Sequence, residues 1–163
     1  MNYTNDNVKK ICNFYMSDWH FTVMILPYIN KEINKNTKVI TILEKDMTDK
    51  VEMLVDKLNI KNKSEILKIN WKNSNINSFE KELENNLQHN EDNLLIINGT
   101  NNYIKEVNYK IDEELHKEEY SQKKVKILDC FDFDSNKDNM RNILKNYDGM
   151  LNTSGETKVR NIF

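Results

Sequence analysis

The chain has 163 residues, 31% of them charged, and a formal net charge of -2. That length suits one domain, able to bury roughly 68–70% of the surface its unfolded form exposes. Lysines and carboxylates are interspersed, which excludes the basic footprint of a nucleic-acid binder and a polybasic membrane patch. The apolar runs that recur along the chain exclude a disordered segment. The start, MNYTNDNVKK, is too polar for a signal peptide. The longest apolar run, Phe21 to Ile29, is far shorter than the ~20 residues of a membrane span. The expectation is a cytoplasmic protein, a single domain over residues 1–163, with no nucleic-acid or membrane partner.

The first strand is Ile11–Met16. Ser17 or Asp18 then caps a helix whose apolar positions are Phe21, Met24, Ile25, Tyr28, Ile29 and Ile33. Pro27 lies inside that helix and is expected to kink it. A second strand, Lys38–Leu43, precedes a helix that starts near Thr48, with Val51, Leu54, Val55 and Leu58 on one face. The run Glu65–Asn70 reads as a third strand, followed by a helix from Asn77 to Leu87 with Phe79, Leu83 and Leu87 in line. The fourth strand is Asn93–Asn98, and its helix runs from about Asn102 to Glu119 on Tyr103, Val107, Ile111 and Leu115. The fifth strand is Lys124–Cys130. A last helix starts near Ser135, turns Met140, Ile143, Leu144 and Tyr147 inward, and ends at Gly149 as its C-cap. Ser154-Gly155 signals a short terminal hairpin.

Runs such as VITIL, LLII and VKILDCF are apolar on consecutive positions, which implies strands buried on both faces. Strands alternating with helices give an α/β, three-layer fold: a mostly parallel central sheet of about five strands with helices on both sides and right-handed crossovers.

Ligands of open parallel sheets bind beyond the carboxyl ends of the strands. The residues there are Ser17, Asp18, Trp19 and His20; Glu44, Lys45 and Asp46; Asn70 and Trp71; Asn98, Gly99, Thr100 and Asn101; and Asp132 and Asp134. Of these, Ser17, Asp18, Trp19, His20, Glu44, Trp71, Asn98, Thr100 and Asp132 form the expected ligand-binding set. Asp18 and His20 read either as a base with its orienting carboxylate or as an N-cap beside a surface histidine. Gly99 before a helix start suits an anion held on backbone amides, or a tight turn. Glycine occurs only at positions 99, 149 and 155, so neither a phosphate loop nor a G-x-G-x-x-G fingerprint is possible. There is also no G-x-S-x-G elbow. Glu44 and Asp46 have no nearby histidine, and no metal site is expected. His89 and His116 lie in polar surroundings and read as solvated. Cys12 and Cys130 read as two reduced, buried thiols, with a redox pair as the alternative.

Three stretches together resemble the MEDS domain, a sensory domain of methanogens and methylotrophs. The opening ICNFYMSDWHFTVMILPYINKEINKNTKVITILEKD carries Phe14 and Tyr15 at a strand end and a Leu26-Pro27-Tyr28-Ile29 helix. The middle, LLIINGTNNYIKEVNYKIDEEL, is similar in its strand, polar turn and acidic helix. The end carries the acidic-aromatic exit Asp132-Phe133, a helix with Ile143 and Leu144, and an Asn161…Phe163 terminus. Lys10 stands where that family often has histidine. The resemblance implies a RecA-like or KaiC-like member of the Rossmann-like class that lacks its nucleotide loop and serves in signalling.

The expected function is therefore a non-enzymatic sensory or regulatory domain. It binds an unknown small ligand or a signalling protein at the strand ends, with no catalytic residues and no cofactor, and Pro27 shapes the first helix over that pocket. The alternatives are a small hydrolase-type enzyme using Asp18, His20 and the rim carboxylates, and an interaction module that forms a homo-oligomer.

Overall fold

The computed structural model describes residues 7–87, 92–117 and 124–162. The readings of residues 1–6, His89, the fourth helix beyond 117 and Phe163 lie outside them. Strands β1 (Val8–Tyr15), β2 (Lys38–Leu43), β3 (Asn93–Asn98), β4 (Val125–Asp132), β5 (Gly149–Asn152) and β6 (Gly155–Lys158) form one sheet in the order β2-β3-β4-β1-β5-β6. The first five of that order are parallel, and β6 returns antiparallel on β5.

Helices cover both faces. On one side α1 (Asp18–Asn34), α2 (Thr48–Lys57) and α3 (Lys63–Leu67) pack through Phe21, Ile25, Ile29, Val51, Val55 and Ile66 onto Ile11, Leu94, Ile96 and Leu128. On the other, α4 (Phe79–Leu87) and α5 (Asn101–Leu115) pack through Leu83, Leu87, Val107 and Ile111 onto Ile40, Ile42, Leu95 and Ile127. This alternation along each strand is the reason VITIL and LLII read as unbroken apolar runs. The three-layer, mostly parallel α/β class is as the sequence implies, with six strands in place of five.

Two elements differ from the sequence reading. Glu65–Asn70 is not a strand. α3 occupies its first part and buries only Ile66, and a loop carries the chain past the edge of β2. That loop is fastened by single hydrogen bonds rather than a ladder: Thr41 Oγ1 donates to Asn70 O, the Ser74 amide to Leu43 O (2.7 Å) and the Met47 amide to Trp71 O (2.8 Å). Periodicity alone does not separate a strand from a helical turn in so short an apolar run. The last helix is also not continuous. It is two short pieces, α6 (Phe133–Asn136) and α7 (Met140–Leu144), and Gly149 is not a C-cap but the first residue of β5. A β-carbon on Gly149 would stand 3.0 Å from the Thr157 carbonyl of the neighbouring strand. The hairpin expected at Ser154-Gly155 is present as β5–β6, with Gly155 at φ +112°.

α1 runs unbroken through Pro27. The carbonyl that loses its partner is that of Val23, a residue 40% exposed on the solvent side of the helix. The hairpin is tied back to α1 by charge. Glu156 accepts from Tyr28 Oη (2.6 Å), Lys126 Nζ (2.8 Å) and Lys9 Nζ (3.1 Å), and Lys126 also reaches Glu32 (3.1 Å). Burial opposes the Glu156 charge, but the hydrogen bonds from Lys126, Tyr28 and Lys9 outweigh it and hold the carboxyl at about 2.

Two outcomes follow for stability. Trp71 is buried, and its indole N–H donates to Ile66 O at 2.8 Å. Trp71→Ala should cost about 3–5 kcal/mol in urea unfolding; a loss below about 0.5 kcal/mol, the range of a surface substitution, would show that the indole is not structural. Glu156 has a depressed pKa, so its contribution is present above the unfolded carboxyl value and is lost as pH falls toward about 2. Glu156→Gln should then lower stability by about 1–2 kcal/mol at neutral pH, after allowance for solvent screening. The deficit should shrink steadily below the ordinary glutamate pKa; one that stays constant with pH would refute the carboxylate's role.

Candidate functional site

The strand-end rim is built mainly from side chains that satisfy one another. Ser17 is the N-cap of α1, its Oγ accepting from the His20 amide at 3.1 Å. His20 Nδ1 accepts from the Met16 amide at 2.8 Å, and Asp18 faces Lys45 at 3.3 Å, so these two side chains are engaged separately. Trp19 is 44% exposed with Lys50 over its ring at 5.4 Å. Trp71 lies in the core beneath α3. Asn98 is buried, and its Oδ1 accepts from Tyr15 Oη at 2.7 Å. Asp132 caps α6, accepting from the Ser135 amide and hydroxyl at 3.2 and 2.7 Å.

At the start of α5 the helix's own amides are met by side chains of this chain. Thr100 caps the helix through the Tyr103 amide, and the Thr100 amide itself donates to Glu44 Oε1 at 2.7 Å. The carboxylate of Glu44 thus sits where an anion would otherwise meet the positive end of the helix. Gly99 makes that possible: a β-carbon there would lie 2.6 Å from Tyr103 Cδ1 and 2.7 Å from Glu44 Oε1.

A different cluster forms on the side of the sheet. The chain from β4 to β5 offers only α6 and α7, of four and five residues. A five-residue helix is about 7 Å long, too short to seal the sheet against α5. The gap is a groove of about 830 Å³, its apolar lining Ile104, Phe131, Ile143 and Tyr109, with Lys10, Asn108, Asp129 and Tyr147 clustered in it and Asn102, Lys105, Glu106, Lys110 and Asn146 also lining it. At its upper end the side-chain amides of Asn101 and Asn136 bond reciprocally at 2.6 and 3.1 Å, joining α5 to α6.

Asp129 is fully buried between Ile127 and Phe131 on the inward side of β4. Its Oδ2 accepts from Tyr147 Oη at 2.5 Å and faces Lys10 Nζ at 3.8 Å, and its Oδ1 accepts from Asn108 Nδ2 at 2.9 Å. Burial raises its pKa, while Lys10, Tyr147 and Asn108 pull it back. Tyr147 is raised by burial and then by the Asp129 charge. Asn108 Nδ2 also donates to Ile104 O at 2.9 Å. Two acceptors on one nitrogen fix the orientation of that amide. Its Oδ1 is buried and has no partner among the described residues, a state that costs about 1–3 kcal/mol. The sequence signal for this cluster is a charge at an inward position: alternation places Asp129 on the face of Ile127 and Phe131. Asn108 likewise interrupts the stripe of Ile104, Ile111 and Leu115.

Cys12 and Cys130 stand on opposite faces of the sheet, one in each core, so they cannot form a pair. Burial pushes the Cys12 thiol up to about 12, with Asp129 adding to the shift. Among the described residues no group of three or more His, Cys, Asp or Glu is placed to hold a metal ion. No helix among them is long and apolar enough to cross a membrane.

Gly99→Ala should cost about 1–3 kcal/mol by overpacking, read from chemical denaturation. The cost should fall in a Glu44→Ala background, where the clash with that carboxylate is gone. Equal costs in both backgrounds would mean that Glu44 does not set the requirement for glycine.

Comparison of the chain with family models, with curated proteins and with solved structures finds no match.

Proposed function

We propose that the protein is a non-catalytic, ligand-responsive domain of the sensory or regulatory kind, and that its ligand is a small organic molecule held between α5 and α7. The observation that carries this reading is the buried, unpartnered Asn108 oxygen at the floor of an apolar-walled groove of about 830 Å³. Ligand sites have this make-up: mostly apolar walls and a few placed polar groups. Asp129 supports binding rather than turnover, because Lys10, Asn108 and Tyr147 surround it and leave it poorly placed to exchange protons with a substrate. The rim argues in the same direction, since the amides that would grip a phosphate already hold Ser17, Glu44 and Asp132. A second reading, a protein partner or second copy, is favoured by one feature: Met16, just before α1, and Trp19 and Val23 on it are exposed.

The test is a ¹H–¹⁵N titration of the full chain with benzamide, indole, p-cresol and cyclohexanone. Shifts should centre on residues 104–110 and 143–147. Ile143→Trp, which fills the groove, should abolish them while the folded spectrum persists. Shifts confined to residues 16–20 and 99–101 would move the site to the strand ends and refute the groove. A ligand-independent dimer in light scattering that Trp19→Glu dissolves, with no titration shifts, would favour the second reading.

A further inference from the structure

The floor of the groove carries an acceptor and a donor held side by side by one carboxylate. Asp129 Oδ1 holds the Asn108 amide, whose unpartnered oxygen is buried at the edge of a groove that Asn108 lines. Asp129 Oδ2 faces Lys10 Nζ at 3.8 Å, beyond hydrogen-bond length, so the ammonium keeps donors to offer. Lys10 also lies 5.2 Å from the Tyr147 ring centroid, a cation–π contact that uses no N–H.

Charge narrows the occupant further. An anion placed against this floor meets a fully buried carboxylate and the lone pairs of Asn108. A cation meets Lys10. Against the floor both would be desolvated without a free counter-charge, since Lys10 and Asp129 already face each other. Of the other charged residues lining the groove, Lys105 and Glu106 are exposed to solvent and Lys110 is paired with Glu80. The walls are suited to a ring: Phe131 lies with Tyr147 edge-on at 6.1 Å and stacks on Phe14 at 5.7 Å, and Ile104 and Ile143 complete the apolar sides.

We infer that the groove selects an uncharged ring compound with an N–H donor beside a carbonyl acceptor, of the aromatic carboxamide or lactam class. The N–H pairs with Asn108 Oδ1 and the carbonyl with Lys10. This rests on the groove being the binding site, as proposed above.

Four compounds of nearly one shape separate the possibilities: benzamide (neutral, donor and acceptor), acetophenone (neutral, acceptor only), benzoate and benzamidinium. Dissociation constants come from ¹H–¹⁵N titration of the full chain. Benzamide should bind about tenfold tighter than each of the others, because a site built for a donor rejects the analogue that lacks it. In Asn108→Leu the advantage of benzamide over acetophenone should fall to near one, with acetophenone still bound. Should that variant not fold, the wild-type series decides alone. Equal affinities, or benzoate or benzamidinium binding tightest at residues 104–110 and 143–147, would overturn the ligand class and leave the groove as a binding site. No binding by any of the four, or shifts only elsewhere, would overturn the groove itself and the class with it.

Discussion

A carboxylate with no exposed surface in mid-strand dictates much of this molecule's architecture. Removing a charge of that size from water costs several kcal/mol unless partners replace the solvent. Asp129 receives them from three directions: Lys10 from the adjacent β1, Asn108 from α5, and Tyr147 from the segment after α7. Each partner fixes the element that bears it. α7 has five residues, far below the length at which an isolated helix is stable. Leu144 in the core and Tyr147 on Asp129 supply the tertiary contacts that hold that segment. Replacing the cluster with aliphatic residues would remove the desolvation cost, but it would also remove the polar floor of the groove.

The strand ends follow a different logic. In open parallel sheets they offer helix N-termini to anionic ligands. Here the helix starts after β1, β3 and β4 are occupied by the protein's own oxygens, from Ser17, from Thr100 with Glu44, and from Asp132. An internal carboxylate at α5 supplies the favourable charge that a bound phosphate would otherwise bring. The chain therefore has an open, mostly parallel sheet whose strand-end helix starts are satisfied by its own side chains. The cavity with open chemistry lies to the side, where the crossover from β4 to β5 is short.

What was legible in the sequence follows from how far apart the interacting residues lie. Local pattern placed β1 to β4 and α1, α2, α4 and α5 within a few residues of their ends, and Ser154-Gly155 placed the hairpin. Glu65–Asn70 reads as a strand because Ile66, Leu67 and Ile69 suit a strand as well as a helical turn; contacts with the edge of β2, distant in sequence, decide between them. The segment after β4 was read as one helix because its leucine-isoleucine spacing is helical. The chain leaves the helix over 137–139, with Asn139 at φ -126°, and no spacing of apolar residues signals that turn. The strand-end residues were visible as polar, but not their partners: Glu44 meets Thr100 across a long stretch of chain. Asp129 was hidden inside VKILDCF, where a single acid in an apolar run looks like the strand's exit rather than its centre.

The two walls of the groove differ in how much apolar surface each commits to the core, and this bears on what a ligand bound there, as proposed, would do. α5 has fifteen residues and commits Tyr103, Ile104, Val107, Ile111 and Leu115 to the core. The facing wall is α7 and the turn to Asp148, which together bury Leu144 fully and Ile143 and Tyr147 partly. Asp148 then zips β5 to β1, its amide donating to Lys10 O and its carboxylate accepting from the Lys10 amide. Lys10 thus touches Asp129 with its side chain and the start of β5 with its backbone. A molecule filling the groove adds apolar burial chiefly to the wall that has least of its own. The gain falls on α7 and the β5–β6 hairpin, which is fastened at its far end to α1 through Glu156. Were the groove occupied as proposed, the element with the smallest independent stability would be the one whose order depended most on occupancy, the physical requirement for a domain that responds to what it binds.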